Sequence, residues 1–186
     1  MPRRRQSSSS IRVIAIAACL ALTCLSTLTA WAMDPGEAKI KSGFLYNFAK
    51  YTEWPGPAAE RVACVAPKAL SEEALAGIDR LPLQNAILIV RNVSTPDDID
   101  GCHILLIGRA QRPNANQWLS RAARSPILTV ADLILPDRPH SIVHLYMEGR
   151  RMRYDLHLGL ARQAGLKLHT RLINLADTLY SEQESQ

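Results

Sequence analysis

The sequence lacks the local motifs that mark the commonest catalytic and nucleotide-binding sites. It contains no Gly-x-Ser-x-Gly elbow, no Gly-Lys-Ser/Thr phosphate loop, no Gly-x-Gly-x-x-Gly turn and no His-Glu-x-x-His pair. Each motif supplies a local geometry that its chemistry requires, so these absences argue against hydrolase, nucleotide-binding and zinc-peptidase classes. We therefore expect a protein that is not an enzyme and that holds no cofactor.

The chain also has little surplus charge beyond its first residues. The formal net charge is +5, from 22 Lys and Arg against 17 Asp and Glu. Four arginines stand before residue 33, where there is no acidic residue, which leaves 18 basic residues against 17 acidic ones. A nucleic-acid-binding face needs clustered surplus basic side chains. We therefore expect no nucleic-acid partner.

Residues 1–32 have the three-part pattern of a secretory signal peptide. A cationic start precedes an apolar run over 13–28, and an Ala-Trp-Ala sequence ending at Ala32 offers the small residues that a signal peptidase reads. The run is shorter than the ~20 residues that a membrane-spanning helix needs. An uncleaved N-terminal anchor is the alternative. We predict cleavage after Ala32, a periplasmic location and no membrane insertion after cleavage.

The remainder, 33–186, reads as one three-layer α/β domain of about six strands and about five helices. Apolar stretches that alternate with helical patterns indicate a mostly parallel sheet covered on both faces. The first four predicted strands are 61–66, 86–93, 102–108 and 127–131. Two alternating stretches around a Gly-containing turn predict a C-terminal hairpin of 141–147 and 151–158. Later helices are predicted over 71–78, 114–124, 159–164 and 170–180.

The first helix carries the most specific pattern in the chain. Asp34 and Pro35 suit its start, and it stops before a Trp-Pro corner. Its apolar stripe consists of Ile40, Phe44, Leu45, Phe48 and Tyr51. Three lysines fall off this stripe, which predicts an amphipathic helix with Lys39, Lys41 and Lys50 on its polar side.

Two aromatic residues of this region are candidates for partner binding. Most rings of the first helix are expected in the core. Tyr46 and Trp54 could instead be partly exposed, because tyrosine and tryptophan serve as interface anchors. We predict that these two residues contribute to a partner-binding surface.

Cys64 and Cys102 are the cysteines that remain after the predicted cleavage. In an oxidising compartment two thiols tend to pair, and a loop of this size would stabilise the fold by about 3–4 kcal/mol. Two buried, unpaired cysteines in neighbouring strands are the alternative.

A group of basic residues near the C-terminus could bind an anion or another small ligand. Clustered guanidinium groups hold phosphate and carboxylate well. The candidates are Arg150, Arg151, Arg153, His169 and Arg171. The alternative is a charged sheet edge that discourages aggregation. The five histidines are too scattered for a zinc site, so we expect no metal.

Two long stretches resemble a known family. Residues 41–55, KSGFLYNFAKYTEWP, closely resemble the N-terminal signature of the YfiR-like family of periplasmic proteins. Residues 149–177, GRRMRYDLHLGLARQAGLKLHTRLINLAD, look like that family's closing strand, Ala-Gly-Leu turn and Leu-rich helix. Cys64 and Cys102 match the positions of a disulfide found in some members. His157 stands where the family usually has Asn, and a second cysteine pair is absent.

The resemblance implies a non-catalytic negative regulator. Such a protein would bind the periplasmic sensor domain of an inner-membrane diguanylate cyclase, repress it and lower cyclic di-GMP, and it would form a homodimer. Release on redox or envelope stress would raise cyclic di-GMP and favour biofilm. The alternative function is a periplasmic module that binds a nucleotide or an amino acid, since an α/β sheet offers a crevice at its strand ends.

Overall fold

The computed structural model describes residues 34–133 and 141–181. The predicted signal peptide, 1–32, lies outside the described residues. The boundary between the signal peptide and the 33–186 domain therefore stays a prediction.

A seven-stranded sheet and a two-stranded sheet form the framework of the described chain. The strands are β1 Thr52–Glu53, β2 Glu60–Val65, β3 Ile87–Asn92, β4 Ile104–Ile107, β5 Leu128–Ala131, β6 Val143–Glu148, β7 Arg151–His157, β8 Lys167–Leu168 and β9 Leu179–Tyr180. The large sheet has the order β3-β2-β4-β5-β6-β7-β9, and β1 pairs with β8. Neighbours from β3 to β6 are parallel, whereas β6 and β7 form an antiparallel hairpin. The predicted mostly parallel sheet with a C-terminal hairpin is confirmed.

Five α-helices lie in the described ranges. They are α1 Pro35–Lys50, α2 Glu72–Ala76, α3 Ala115–Ala122, α4 Leu158–Gln163 and α5 Thr170–Leu175. Their starts follow the capping rules: the Asp34 side chain accepts from the Gly36 amide, and the Ser71 side chain accepts from the Ala74 amide. After α4, Gly165 has φ +71°, the left-handed conformation that favours glycine just past a helix.

The last predicted helix is wrong in its extent. A helix over 170–180 was expected from the Leu repeat, but α5 ends at Leu175 and the chain becomes extended at Ala176. The amide of Asp177 donates to the Tyr154 carbonyl, and the amide of Leu156 donates to the Thr178 carbonyl. These bonds place β9 beside β7, so pairing at the sheet edge overrides the helical pattern.

Two hydrophobic cores lie on opposite faces of the sheet, because alternate residues of each strand point to opposite sides. In β4, Ile104 and Leu106 belong to the first core, and Leu105 and Ile107 to the second. Helices α1, α2, α4 and α5 each contribute to the first core, whereas α3 contributes Trp118 to the second. Every residue of β4 and β5 is buried, which explains their continuous apolar sequences.

An aromatic cluster fixes α1 on the first core. The rings of Phe44 and Phe48 lie 5.9 and 5.1 Å from the ring of Tyr154 in β7, both edge-on. The Tyr154 hydroxyl donates to the Leu172 carbonyl over 2.7 Å, which also ties α5 to this cluster. Burial raises the pKa of Tyr154 to about 12, so the hydroxyl remains a donor at neutral pH.

Candidate functional site

A cleft of about 630 Å³ lies at the amino ends of β2 and β3, next to the end of α1. Its walls are residues 49–54, 56–59 and 83–86, together with Arg61 and His169. This volume falls in the range of small-molecule sites. The cleft is therefore the candidate ligand site of the described chain.

At the opposite end of the sheet, where α/β proteins usually bind ligands, the described loops after β2 and β4 lie in contact with each other. Strand order reverses at β2, but the loops after β2 and β4 touch there. A Cβ on Gly108 would stand 2.6 Å from the Ala69 Cα atom, so glycine is required at this approach. The side chain of Gln111 adds a hydrogen bond to the Pro67 carbonyl and accepts one from the Trp118 indole. The crevice expected from the fold class is thus closed at this position.

Trp54 forms part of the wall of the cleft. Its side chain is 9% exposed, and its indole N–H donates to the His103 carbonyl over 3.0 Å. The Arg61 guanidinium lies 5.3 Å from the ring centroid, within cation–π range. Trp54 therefore fixes the Trp-Pro corner to the sheet, and its predicted role in partner binding stays a prediction.

His103 forms a neutral support beneath Trp54. Its Nδ1 accepts from the Val62 amide over 3.1 Å, and its ring meets the Trp54 ring edge-on at 5.9 Å. Burial lowers the pKa of the His103 imidazole from its ordinary value, and the nearby charge of Arg61 lowers it further. The imidazole is therefore neutral at pH 7, as its acceptor role at Nδ1 requires.

Three basic side chains gather around the ring of Tyr51 at one side of the cleft. Lys50 Nζ lies 5.6 Å from the ring centroid and the Arg171 guanidinium 5.5 Å from it, and the His169 ring is 5.8 Å away. Arg171 Nη1 also donates to the Tyr51 hydroxyl over 2.9 Å. Two of the predicted anion-binding residues, His169 and Arg171, thus lie together beside the cleft.

Lys50 and Arg61 were not predicted among the basic residues of the cleft. Both are basic and both line the cleft. Lys50 was assigned only to the polar side of α1, and Arg61 was assigned only to an apolar strand. No local signal connects them to His169, because the antiparallel pairing of β1 with β8 brings these distant segments together.

The other three predicted anion-binding residues lie at the opposite end of the sheet, at the β6–β7 turn. Arg153 is engaged there by two carboxylates: its Nε is 2.6 Å from Glu148 Oε2 and its Nη1 is 2.9 Å from Asp177 Oδ1. Arg150 and Arg151 are exposed at the turn. A ligand in the cleft would therefore not contact Arg150, Arg151 or Arg153.

Tyr46 lies on α1 and is partly exposed. Its hydroxyl donates to the Pro82 carbonyl over 2.7 Å, which connects the helix with the segment before β3. On the same side of α1, Ile40 is 45% exposed and Asn47 is exposed. In the described part of the protein, this side of α1 is therefore exposed to solvent. The binding role of Tyr46 stays a prediction.

The prediction for Lys41 is wrong. Its side chain is only 1% exposed, and its Nζ lies 2.5 Å from Asp132 Oδ2, at the end of β5. Glu37 Oε1 is 3.4 Å from the same nitrogen. Arg109 reaches Glu37 at 2.9 Å and Asp132 at 3.4 Å. Lys41 stands at helical spacing from the buried apolar residues of α1, and a carboxylate from a distant strand faces it on that side.

Cys64 and Cys102 form a disulfide, with their Cα atoms 5.8 Å apart and 38 residues of sequence separation. Cys64 lies in β2, and Cys102 stands just before the neighbouring β4. Of the two possibilities left open by the sequence, the structure has the bridge.

Within residues 34–133 and 141–181, no three or more His, Cys, Asp or Glu side chains are arranged to hold a metal ion. In the same ranges, no helix has the length and apolar character needed to cross a bilayer. His140, one of the five histidines, lies outside the described residues.

The described chain is an α/β protein whose mostly parallel sheet carries one disulfide. A cleft lined by basic and aromatic residues lies at the amino ends of β2 and β3. A family model described as YfiR/HmsC-like matches residues 38–177, from α1 to the end of the α5 region. The chain belongs to the YfiR/HmsC-like family, as its two end motifs predict. Proteins of this family are periplasmic and regulatory, and membership is consistent with a regulator of a diguanylate cyclase.

Proposed function

We propose that this protein is a periplasmic repressor that binds the sensor domain of an inner-membrane diguanylate cyclase and keeps the enzyme inactive. The family match over residues 38–177 carries this proposal. The proposal includes export through the 1–32 segment and action by the domain that follows it, as a homodimer. Its consequence is a lower concentration of cyclic di-GMP, and hence less biofilm, while the repressor is bound.

The mechanism is a shift of the cyclase between two conformations. A repressor changes this equilibrium only if it binds the inactive conformation more tightly than the active one. Moving a population from 99% active to 99% inactive requires an affinity ratio of about 10⁴. The repressor therefore needs a well-ordered binding surface rather than a reactive group, and a helix fixed on a packed core supplies one.

The exposed side of α1 is the surface that we assign to the partner. Ile40, Gly43 and Asn47 follow one another at helical spacing on this side, and nothing lies within 4 Å of a Cβ built on Gly43. A partner main chain could approach the helix closely at that gap. Tyr46 stands beside the gap with a partly exposed ring. Trp54 would act indirectly by fixing the corner where α1 ends.

A Tyr46→Ala variant should bind the cyclase sensor domain at least about tenfold more weakly, because interface tyrosines often dominate binding energy. Tyr46→Phe is the matched control, since it keeps the ring and removes only the hydrogen bond to Pro82. We expect it to bind within about threefold of the unmodified protein. Titration calorimetry with the purified sensor domain measures both, with thermal melting to verify folding. Equal affinities for all three proteins would show that Tyr46 does not contribute to the interface.

The cleft supports a second candidate function, the binding of a small anionic molecule. The observation that favours it is the gathering of Lys50, His169 and Arg171 around Tyr51 at one side of a ligand-sized cleft. Paired guanidinium and aromatic groups suit a planar anion such as a nucleotide or an aromatic amino acid.

Calorimetry with nucleoside monophosphates and amino acids tests the cleft. If one binds, Arg171→Gln should weaken it by about tenfold, because a charge-assisted hydrogen bond is lost. Arg151→Gln is the control, since Arg151 lies at the other end of the sheet. Binding that is undetectable with the unmodified protein, or that falls equally in both variants, would reject the cleft as the site.

A further inference from the structure

The guanidinium of Arg91 lies directly beside the disulfide. Its Nη2 is 3.4 Å from Cys64 Sγ and 3.2 Å from Cys102 Sγ. The parallel pairing of β3 with β2 sets this position, because Arg91 stands opposite Cys64 in the register. A cationic group thus faces both sulfur atoms at hydrogen-bond distance.

The charge of Arg91 is held in place by neutral groups. Its Nη2 donates to the Asp100 carbonyl over 2.7 Å and lies 3.4 Å from the Asp98 carbonyl. The hydrogen-bond and ion-pair partners of the two carboxylates of these residues are other groups. The carboxylate of Asp98 accepts from the main-chain amides of Ser94 and Thr95, and that of Asp100 pairs with Arg121. Hydrogen bonds from Thr95 and Ser94 lower the pKa of the Asp98 carboxyl, and the charge of Arg91 lowers it further, so this charge acts on Asp98 as well as on the two sulfur atoms at hydrogen-bond distance.

The two sulfur-bearing residues differ in their access to solvent. Cys64 is 0% exposed, whereas Cys102 is 7% exposed. Both belong to the second hydrophobic core. A thiolate formed on Cys64 would be buried among apolar side chains, which is costly unless a cation accompanies it. Arg91 is positioned to be that cation.

We propose that the Cys64–Cys102 bridge is a site of thiol exchange, opened at Cys102 by an external thiolate, and that Arg91 stabilises the departing Cys64 thiolate. The incoming sulfur attacks Cys102 Sγ and forms a new disulfide with it. The bond between Cys102 and Cys64 breaks, and its electron pair remains on Cys64 Sγ. A low-molecular-weight thiol such as glutathione is the reagent, and Cys102 carries the mixed disulfide.

A purely structural role for Arg91 would give the opposite result to this proposal. If Arg91 only braced the 94–102 segment, its removal would loosen that segment and speed reduction of the bridge. If Arg91 stabilises the leaving thiolate, its removal slows reduction, because exchange is faster when the leaving thiolate is more stable. The sign of the change in rate distinguishes the two roles.

The experiment measures the rate at which glutathione opens the bridge in the folded protein. We expect Arg91→Gln to slow the reaction by about tenfold, and Arg91→Lys to restore most of the rate because it keeps the charge. Arg121→Gln is the matched control, since Arg121 contacts Asp100 in the same segment. Its rate should equal or exceed that of the unmodified protein, because the change loosens the segment and leaves the charge beside the sulfur atoms in place. An Arg91→Gln rate that is unchanged or faster would overturn the proposal.

The position of the adduct gives a second test that needs no variant. The unmodified protein is treated briefly with glutathione, quenched in acid, alkylated with N-ethylmaleimide and mapped by peptide mass spectrometry. Glutathione is expected on Cys102 and the maleimide on Cys64, and the reverse pattern would overturn the proposal. Neither test involves the cyclase, so their failure would leave the proposed repressor function untouched.

Discussion

Replacing Lys41 by Met is expected to lower the free energy of unfolding by about 3 kcal/mol. Removing one partner of a buried ion pair costs about 3–5 kcal/mol, because the other charge remains buried. Here the carboxylate of Asp132, which is 3% exposed, would keep the Arg109 contact at 3.4 Å as its remaining ion pair among the described residues. That contact places the expected loss at the lower end of the range. Urea denaturation measures the change directly.

Two further variants show whether the loss belongs to the pair. Lys41→Met combined with Asp132→Leu removes both charges, so the double variant should be more stable than Lys41→Met alone. Arg109→Gln is the control for the exposed part of the network. Since the Arg109 side chain is 49% exposed, its removal should cost less than about 1 kcal/mol. A Lys41→Met loss below 1 kcal/mol, or a double variant less stable than the single one, would contradict this account.

Replacing both bridged cysteines by alanine is expected to lower the free energy of unfolding by about 4 kcal/mol. The 38-residue separation sets this value in the chain-entropy account, since the open chain regains the freedom that the bridge removed. Cys64 lies in the central β2 and Cys102 at the start of the adjacent β4, so the bridge fixes two strands at the middle of the sheet. Denaturation of the oxidised protein, the reduced protein and the double alanine variant gives the comparison.

The same loss should be visible in the cell. If a folded repressor holds the cyclase inactive, a Cys64→Ala variant should raise cyclic di-GMP because less folded repressor is present. Thr129→Ser, a small change at a buried position of β5 that leaves the bridge intact, serves as a control for general sensitivity to core substitution. If Cys64→Ala changes neither the melting temperature nor the concentration of cyclic di-GMP, the bridge contributes to neither stability nor repression.

The sequence was sufficient to predict the sheet because its strands are recognisable locally. Strand β4 is apolar at every position, and the alternation of apolar and polar residues in β6 and β7 predicts a hairpin with one packed face. The start of α1 follows from Asp34 and Pro35. These features depend on neighbouring residues, which a single sequence displays. The three two-residue strands were not predicted, because so short a segment has no period.

The candidate site was less predictable because it depends on contacts between distant segments. His169 was identified from its basic neighbours, but its position beside Tyr51 results from the pairing of β1 with β8. The burial of Lys41 requires Asp132, 91 residues further along the chain. Lys41 lies four and seven residues before buried apolar positions of α1, so helical periodicity itself places it on the packed side of the helix. The carboxylate that pairs with it there is set by the position of α1 over the end of β5. The contact of Arg91 with the bridge likewise follows from the register between β2 and β3.

The central claim is that the exported protein acts by holding a membrane cyclase inactive. Cyclic di-GMP, measured in cells of the source organism with and without the gene for this protein, tests it most directly. The account predicts a rise in cyclic di-GMP when the gene is deleted, and a return to the original concentration when the full chain is supplied. A version lacking residues 1–32 should fail to restore it. Cyclic di-GMP that stays unchanged or falls on deletion would contradict the account.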